Sequence, residues 1–306
     1  MFGFINLNKP AGFTSHDCVA KMRRLLNTKK IGHGGTLDPA ATGVLPIAVG
    51  QATRLLQFLP EPKAYRALIR LGVTTTTDDL EGEILNSVAK VDLDQEKIVT
   101  CLNNFLGTIE QVPPIYSAIK RDGKKLYELA RKGETVEIEP RTITIAKIQL
   151  LNIYQRDFFA VEVDIDCSPG TYIRAIARDL GEMLGVGGTL ANLIRTESCG
   201  MKLESSITFA ELESQLQQEI FTFIEPAAVL GHLQSVTLTE EETILWCQGQ
   251  LIDLSGAEEK SNSLLLSENS YVVTYKQDGV FLGISILISR NDVVKIKPKI
   301  VCVNLA

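Results

Sequence analysis

Residues 32–54 read GHGGTLDPAATGVLPIAVGQATR and divide into a loop and a strand. Three of the first four residues are glycine, which disfavours regular structure up to residue 43, whereas the apolar run at residues 44–49 predicts a strand. Asp38 lies at the centre of the loop, before Pro39. A glycine-rich loop suits a backbone that approaches a ligand, so Asp38 is a candidate for chemistry, although an isolated Asp-Pro pair is more typical of a turn.

The segments around this stretch predict strands and helices in mixed order. Residues 4–9 predict a strand that ends before Pro10, and helix-start residues at 14–17 precede a helix to about Asn27. Periodicity predicts further strands at 64–73, 142–153 and 158–166, a helix at 94–106 and a short helix at 126–131. A mixed α+β fold is therefore expected.

A strongly amphipathic helix is predicted after the turn Ser168-Pro169-Gly170. Its apolar residues share one face, and helical geometry puts Arg174 about 100° from Ile173, at the border of that face. An arginine in this position can bury its stem and direct its charged head inward.

The last part of the chain differs in composition. From about residue 233 acidic residues accumulate, and strands are predicted at residues 271–275 and 280–288, so we expect a small β domain. Lys295, Lys297 and Lys299 alternate, and a strand there would present all three on one side.

The net charge of −6, from 31 basic and 37 acidic residues, argues at first against a nucleic-acid partner. The charge is unevenly distributed, because residues 1–210 hold 25 basic and 24 acidic side chains and residues 211–306 hold 6 and 13. Positive charge is concentrated at residues 21–30, which contain no acid, and at residues 120–132. One such run is usually a solvated face, but two raise the odds of a polyanionic partner.

The sequence argues against several classes of protein. The six cysteines are widely spread, which predicts neither a metal site nor a disulfide framework. Phosphate-loop, nucleophile-elbow and zinc-protease motifs are missing, and only three histidines are present to serve as bases. No signal peptide or membrane span is recognisable, so we expect a cytoplasmic protein with no membrane partner.

The stretch at residues 32–54 closely resembles the central motif of the TruB-type tRNA pseudouridine synthases. Other segments of the sequence agree with that family in order: LNKPAGFTSHDCV (7–19), KAYRALIRLGVTTTTDDLEGEI (63–84), PPIYSAIKRDGKKLYELARKG (113–133), CSPGTYIRAIARDLG (167–181) and LANLIRTESCG (190–200). The resemblance covers about the first 210 residues, and the tail resembles, more weakly, a PUA-like domain. It implies a largely antiparallel central sheet with flanking helices in a catalytic domain (residues 1–232), a thumb-like RNA-contacting segment at about 113–140, and a small PUA-like β domain at 233–306.

The resemblance also implies an activity, the isomerisation of uridine 55 in the T arm of tRNA to pseudouridine by base flipping, without cofactor or metal. Asp38 matches the catalytic aspartate, which acts covalently on the nucleotide, by attack on the sugar or the base or after elimination at the ribose. Arg174 matches the arginine that pairs with it, and Tyr65 matches the tyrosine that stacks on the target base and is a candidate for proton transfer. A carboxylate nucleophile is chemically reasonable, and a paired arginine would keep it ionised.

Further residues are candidates for substrate binding through the same resemblance. His33 matches the histidine beside the flipped nucleotides, and Tyr172 and Leu193 match positions that line the uracil pocket. Lys9 matches a family motif too, and we expect it to support the Asp38 loop rather than to act in catalysis. Lys124 and Lys125, in the thumb-like segment, are expected to contact phosphate.

Two alternatives remain open. One is a guide-RNA-dependent pseudouridine synthase related to dyskerin, which works inside a multi-protein particle; the long thumb-like segment favours the stand-alone form. The other is an RNA-binding or RNA-folding protein without catalysis, which Asp38, Tyr65 and Arg174 argue against. The expected partner is tRNA, with no protein partner required and a monomer as the default state.

Overall fold

The computed structural model describes residues 2–117, 120–121, 124–125, 138–254, 269–290 and 293–303. The short helix predicted at residues 126–131 lies outside them. For Lys124 and Lys125 the structure describes the backbone alone.

The secondary-structure elements of the described residues follow the expected mixed order. The helices are α1 (Ser15–Leu25), α2 (Gln95–Asn103), α3 (Ile173–Leu184), α4 (Phe209–Gln217), α5 (Pro226–Val229) and α6 (Glu240–Cys247). The first strands are β1 (Gly3–Lys9), β2 (Ile31–His33), β3 (Thr42–Val49), β4 (Lys63–Leu71), β5 (Val73–Thr75), β6 (Ile84–Ser87), β7 (Gly107–Gln111), β8 (Lys120–Arg121) and β9 (Lys124–Lys125). The later strands are β10 (Arg141–Gln155), β11 (Phe159–Cys167), β12 (Gly188–Ser198), β13 (Met201–Lys202), β14 (Ser235–Leu238), β15 (Ile252–Asp253), β16 (Tyr271–Lys276), β17 (Phe281–Arg290) and β18 (Val293–Val301).

A nine-stranded sheet forms the centre of the molecule. Its main path runs β1-β3-β12-β4-β11-β10-β7, with β2 paired to β3 and β13 paired to β12. All these pairs are antiparallel except β3 with β12, which join only through Thr42 and Gly43 on one side and Ile194 and Arg195 on the other. This short parallel contact brings the start of β3, and the loop before it, against β12.

Helix α1 forms where the helix-start residues predict it. The Thr14 side chain accepts a hydrogen bond from the Asp17 backbone amide, and the Asp17 carboxylate accepts one from the Thr14 amide, a reciprocal cap that satisfies free N–H groups. Cys18, Val19 and Met22 are buried on its inner face. The helix ends at Leu25 rather than Asn27, because Asn27 adopts a left-handed conformation with φ of 46°.

Two sequence expectations need correction near the glycine-rich stretch. Regular structure extends into it, because Gly32 and His33 pair with Ala48 and Ile47 across β2 and β3. The strand predicted at residues 64–73 is interrupted at Gly72, whose φ of +86° favours glycine, and the chain continues as the separate strand β5.

The small C-terminal sheet has the order β14-β16-β17-β18-β15 and packs against the central sheet. Val273, Ile284 and Ile300 of this sheet belong to the same buried cluster as Phe4 and Val44 of the first. A second buried cluster, which includes Trp246, fills its other side. None of the helices in the described residues is long and apolar enough to cross a membrane.

Candidate active site

A pocket of about 640 Å³ opens where the Asp38 loop (residues 34–41), strand β4, the turn after β5 and the start of α3 meet. Asp38 and Arg174 lie at its wall together with Tyr65, Tyr172 and Leu193. The other lining residues are Thr36, Leu37, Pro39, Lys63, Thr77, Asp79, Glu81, Tyr116, Ser117, Gly170, Thr171 and Ile173. Five of the eight residues proposed from the sequence therefore surround one cavity, whose volume is that of an ordinary ligand site.

Arg174 holds the Asp38 carboxylate from the buried side of the pocket. Its Nη2 atom lies 3.2 Å from Asp38 Oδ2, and the same nitrogen donates to the Tyr116 carbonyl at 3.0 Å. Its Nη1 atom lies 3.4 Å from Asp79 Oδ2 and donates to the Thr77 carbonyl at 3.3 Å. The guanidinium is thus fixed by four groups, because a planar fork of donors can bind several acceptors at once.

Helix α3 positions Arg174, which the structure buries more fully than the border position predicted from the sequence. The side chain of Gln111 donates to the Tyr172 carbonyl and accepts from the Tyr172 amide, which fixes the residue before the helix. One turn further along, Arg178 binds the Asp78 carboxylate at 3.1 Å, next to the Asp79 that binds Arg174. The two arginines therefore attach the turn after β5 to the helix at two points.

Tyr65 lies on β4 with its side chain towards the pocket and is almost wholly buried. Burial raises the pKa of its hydroxyl, so the ring stays neutral at physiological pH. Lys63, two residues earlier on the same face of β4, also lines the pocket. Burial, followed by the neighbouring Arg195, lowers the pKa of its ammonium group.

The Asp38 loop is held by buried groups on either side of the aspartate. The Ser15 hydroxyl accepts from the Leu37 amide at 2.9 Å, and the Lys9 ammonium donates to the Pro39 carbonyl at 3.1 Å. Lys9 is fully buried and also donates to the carbonyls of Pro10 and Phe13. It therefore makes the supporting contact expected from the sequence.

The remaining candidates are placed differently. His33 is half-buried at the end of β2, does not line the pocket, and contacts His16 with ring centroids 5.5 Å apart. Its Nδ1 atom accepts from the Gly35 amide at 3.3 Å, while burial, then His16 and Arg195, lower its pKa. Lys124 and Lys125 form β9, which pairs with β8.

Three residues of the pocket or the Asp38 loop contacts were not predicted from the sequence: Lys63, Asp79 and Arg195. All three lie inside the quoted family segments, but only their spatial neighbours reveal their contacts. No group of three or more His, Cys, Asp or Glu side chains among the described residues could hold a metal ion. The chemistry of the pocket is that of a half-exposed carboxylate beside a fixed cation, an aromatic ring and an aliphatic wall.

Comparison with known proteins identifies relatives over nearly the whole chain. Residues 23–173 match the TruB family pseudouridylate synthase N-terminal domain. The chain is 55% identical to tRNA pseudouridine synthase B of Gloeothece citriformis over 95% of its length and 92% of that protein. It is 49% identical to the protein of the same name from Microcystis aeruginosa, over 98% of this chain and 99% of that one.

Solved structures share the architecture. One chain in the structure of an H/ACA RNP bound to a substrate RNA containing 2'-deoxyuridine has a TM-score of 0.74 at 25% identity, covering 99% of this chain and 86% of that one. A chain of a Cbf5-Nop10-Gar1 complex has a TM-score of 0.70 at 27% identity, covering 94% and 78%. The expected pseudouridine synthase fold, a mixed α+β fold with a largely antiparallel central sheet and a small C-terminal β domain, is confirmed. On the strength of 55% identity over nearly its whole length, the chain belongs to the TruB family of pseudouridylate synthases.

Proposed function

We propose that the protein converts uridine 55 in the T arm of tRNA to pseudouridine. The observation that carries this proposal is the contact between Asp38 and Arg174 at 3.2 Å, in a pocket that also presents Tyr65. The names of the relatives with 49% and 55% identity support tRNA as the substrate. The reaction breaks the bond between N1 and the ribose, forms a bond from C5 to the same ribose carbon, releases the C5 hydrogen as a proton and returns a proton to N1.

In this proposal the residues divide the work between chemistry and binding. Asp38 acts covalently on the nucleotide, and Arg174 holds its carboxylate in place. Tyr65 stacks on the uracil, and Tyr172 and Leu193 line the pocket that receives this base. A base inside folded RNA must first leave its stack, which costs a few kcal/mol. His33, a neutral ring beside the Asp38 loop, supports that step by filling the vacated space.

Binding of the rest of the T arm is assigned to the basic thumb-like segment. Lys124 and Lys125 contact phosphates there, in a catalytic domain of residues 1–232 that is followed by a PUA-like domain at 233–306. We further propose that the protein acts in the cytoplasm as a monomer that requires no protein partner. Size-exclusion chromatography with light scattering tests the proposed monomeric state.

The decisive experiment uses purified protein, unmodified tRNA transcript and uridine labelled with tritium at C5. Isomerisation releases one tritium per modified uridine to water, and a transcript with cytidine in place of uridine 55 should release none. Asp38→Asn is the control, and it should bind tRNA without releasing tritium. Release that persists with the cytidine transcript would contradict the assignment to position 55.

A guide-RNA-dependent enzyme is the second candidate, because the solved structures of similar fold include an H/ACA RNP. Their identity to this chain is 25–27%, about half that of the tRNA pseudouridine synthase B relatives. The same assay separates the two candidates, since it contains no guide RNA. Release from tRNA alone supports the stand-alone enzyme, whereas binding without release from the unaltered protein would leave both the guide-RNA-dependent enzyme and the non-catalytic alternative.

A further inference from the structure

Arg195, on β12, is the largest fully buried charged side chain, and the proposed mechanism gives it no role. Its side chain is 0% exposed, and no carboxylate among the described residues lies within ion-pair distance of it. A buried charge is costly unless hydrogen bonds compensate it, so the position of these bonds indicates what the residue does.

The guanidinium of Arg195 donates all its described hydrogen bonds to backbone around the Asp38 loop. Nη2 donates to the Gly35 carbonyl at 3.1 Å and Nη1 to the Thr36 carbonyl at 3.2 Å. Nε donates to the Val44 carbonyl at 2.8 Å, beyond the other end of the loop. One rigid group therefore joins the two ends of the loop, with Asp38 between them.

Arg195 also lies behind Tyr65. The two residues are direct partners in the pairing of β12 with β4, which places the charge of Arg195 close enough to act on the Tyr65 hydroxyl. Burial raises the pKa of that hydroxyl, and the charge of Arg195 acts against the rise. The loop that carries the carboxylate and the ring that faces the base thus share one buried partner.

We propose that Arg195 is a positioning residue that fixes the Asp38 loop and the Tyr65 ring in one geometry from behind the pocket. The inference rests on the proposed function and adds a residue that touches neither RNA nor the reacting atoms. Because Arg195 is wholly buried, its loss should act on the rate of the chemical step rather than on RNA affinity. Misplacement of reacting groups by about 1 Å can lower a rate about 100-fold.

The test compares Arg195→Lys with the unaltered protein in single-turnover tritium release at saturating tRNA, together with tRNA affinity by filter binding. Lysine keeps the positive charge but offers one nitrogen in place of a fork that reaches three carbonyls. We expect the rate to fall about 100-fold and the affinity to change less than about twofold. If the lysine variant does not fold, Arg195→Gln, which needs no buried charge, takes its place in the same measurements.

Trp246→Phe provides a matched control for stability. Trp246 is also fully buried, donates to Ser285 at 2.8 Å, and lies in the core of the C-terminal sheet rather than at the pocket. This variant should have a lower Tm and the rate of the unaltered protein.

An unchanged rate in a folded Arg195 variant would overturn the inference, and so would an equal loss of rate and affinity, since a displaced RNA surface would then explain both. Failure of the unaltered protein to release tritium is a different outcome, which refutes the proposed function itself.

Discussion

Arg174 and Asp38 form an ion pair at 3.2 Å whose two members differ sharply in exposure, with 9% of the arginine side chain and 49% of the aspartate side chain accessible. The arginine is fixed by Thr77, Asp79 and Tyr116, whereas the aspartate faces the pocket. Arg174 therefore holds Asp38 in a fixed position, and one side of the Asp38 carboxylate stays open to a substrate.

Replacing Arg174 by methionine should nearly abolish turnover while tRNA still binds. The variant keeps the length of the apolar stem and removes the donors that hold Asp38, and loss of one such preorganised donor costs about 100- to 1000-fold in rate. Tritium release measures the rate, and filter binding measures the affinity. Because Asp79 also loses its ion pair with Arg174, the Tm must be recorded to show that the variant is folded at the assay temperature. Near-normal turnover would refute the assignment.

Tyr65→Phe separates stacking from proton transfer. The phenylalanine ring keeps the stacking surface, whose contribution is about 1 to 3 kcal/mol per base, and it removes the hydroxyl. We expect unchanged tRNA affinity and a rate about 100-fold lower, the lower end of what a proton-transfer group supplies. Tyr65→Leu is the companion variant. It removes both the ring and the hydroxyl, so the tRNA affinity and the rate should both fall. Full activity of Tyr65→Phe would leave stacking as the role of this residue and exclude proton transfer.

The sequence predicts the local elements around the site but not the contacts that complete it. Helix α1, strand β3 and helix α3 follow from capping residues and periodicity, which act over a few neighbouring positions. The partners of Arg174 and Arg195 lie 58 to 160 residues away along the chain, because the sheet brings distant segments together. The bonds of Arg195 go to backbone carbonyls, which leave no pattern of side chains to read, and Asp79 lies 95 residues from Arg174 along the chain, so the sequence singled out neither residue.

Reversing the charges of Lys124 and Lys125 together should weaken tRNA affinity and flatten its dependence on salt. Each lost phosphate contact lowers the slope of log affinity against log salt by about one unit, so the double variant should lose about two. Reversal of Lys90 and Lys97, two exposed lysines outside the pocket lining, provides the control and should leave the slope unchanged. Equal slopes in all three proteins would show that the basic cluster is an ordinary solvated surface that does not contact phosphate.

His33→Gln should make the protein less sensitive to acid. Burial, His16 and Arg195 lower the pKa of His33 in the folded state below its ordinary value of 6.5. Between these two values the unfolded chain binds a proton that the folded chain does not, so the folded state loses stability as the pH falls below about 6.5. Urea unfolding at pH 7.5 and pH 5 should therefore show a smaller loss for His33→Gln than for the unaltered protein. His232→Gln replaces an exposed histidine and should follow the unaltered protein. Parallel loss in all three would contradict the assignment of this acid sensitivity to His33.

Gly43→Ala tests the close contact between β3 and β12 at the end of the Asp38 loop. Gly43 has φ of +99°, and a Cβ atom there would lie 2.3 Å from the Arg195 carbonyl oxygen. The left-handed conformation costs an alanine about 1 to 2 kcal/mol, and forcing two backbones apart adds about 1 to 3 kcal/mol. Gly185→Ala is the matched control, because Gly185 has φ of +76° with open space around it and should show the first cost alone. Since Gly43 is the parallel partner of Arg195, its replacement should also displace the loop and lower the rate of tritium release, whereas Gly185→Ala should not. Equal losses of unfolding free energy in the two variants would show that the strands can separate without strain.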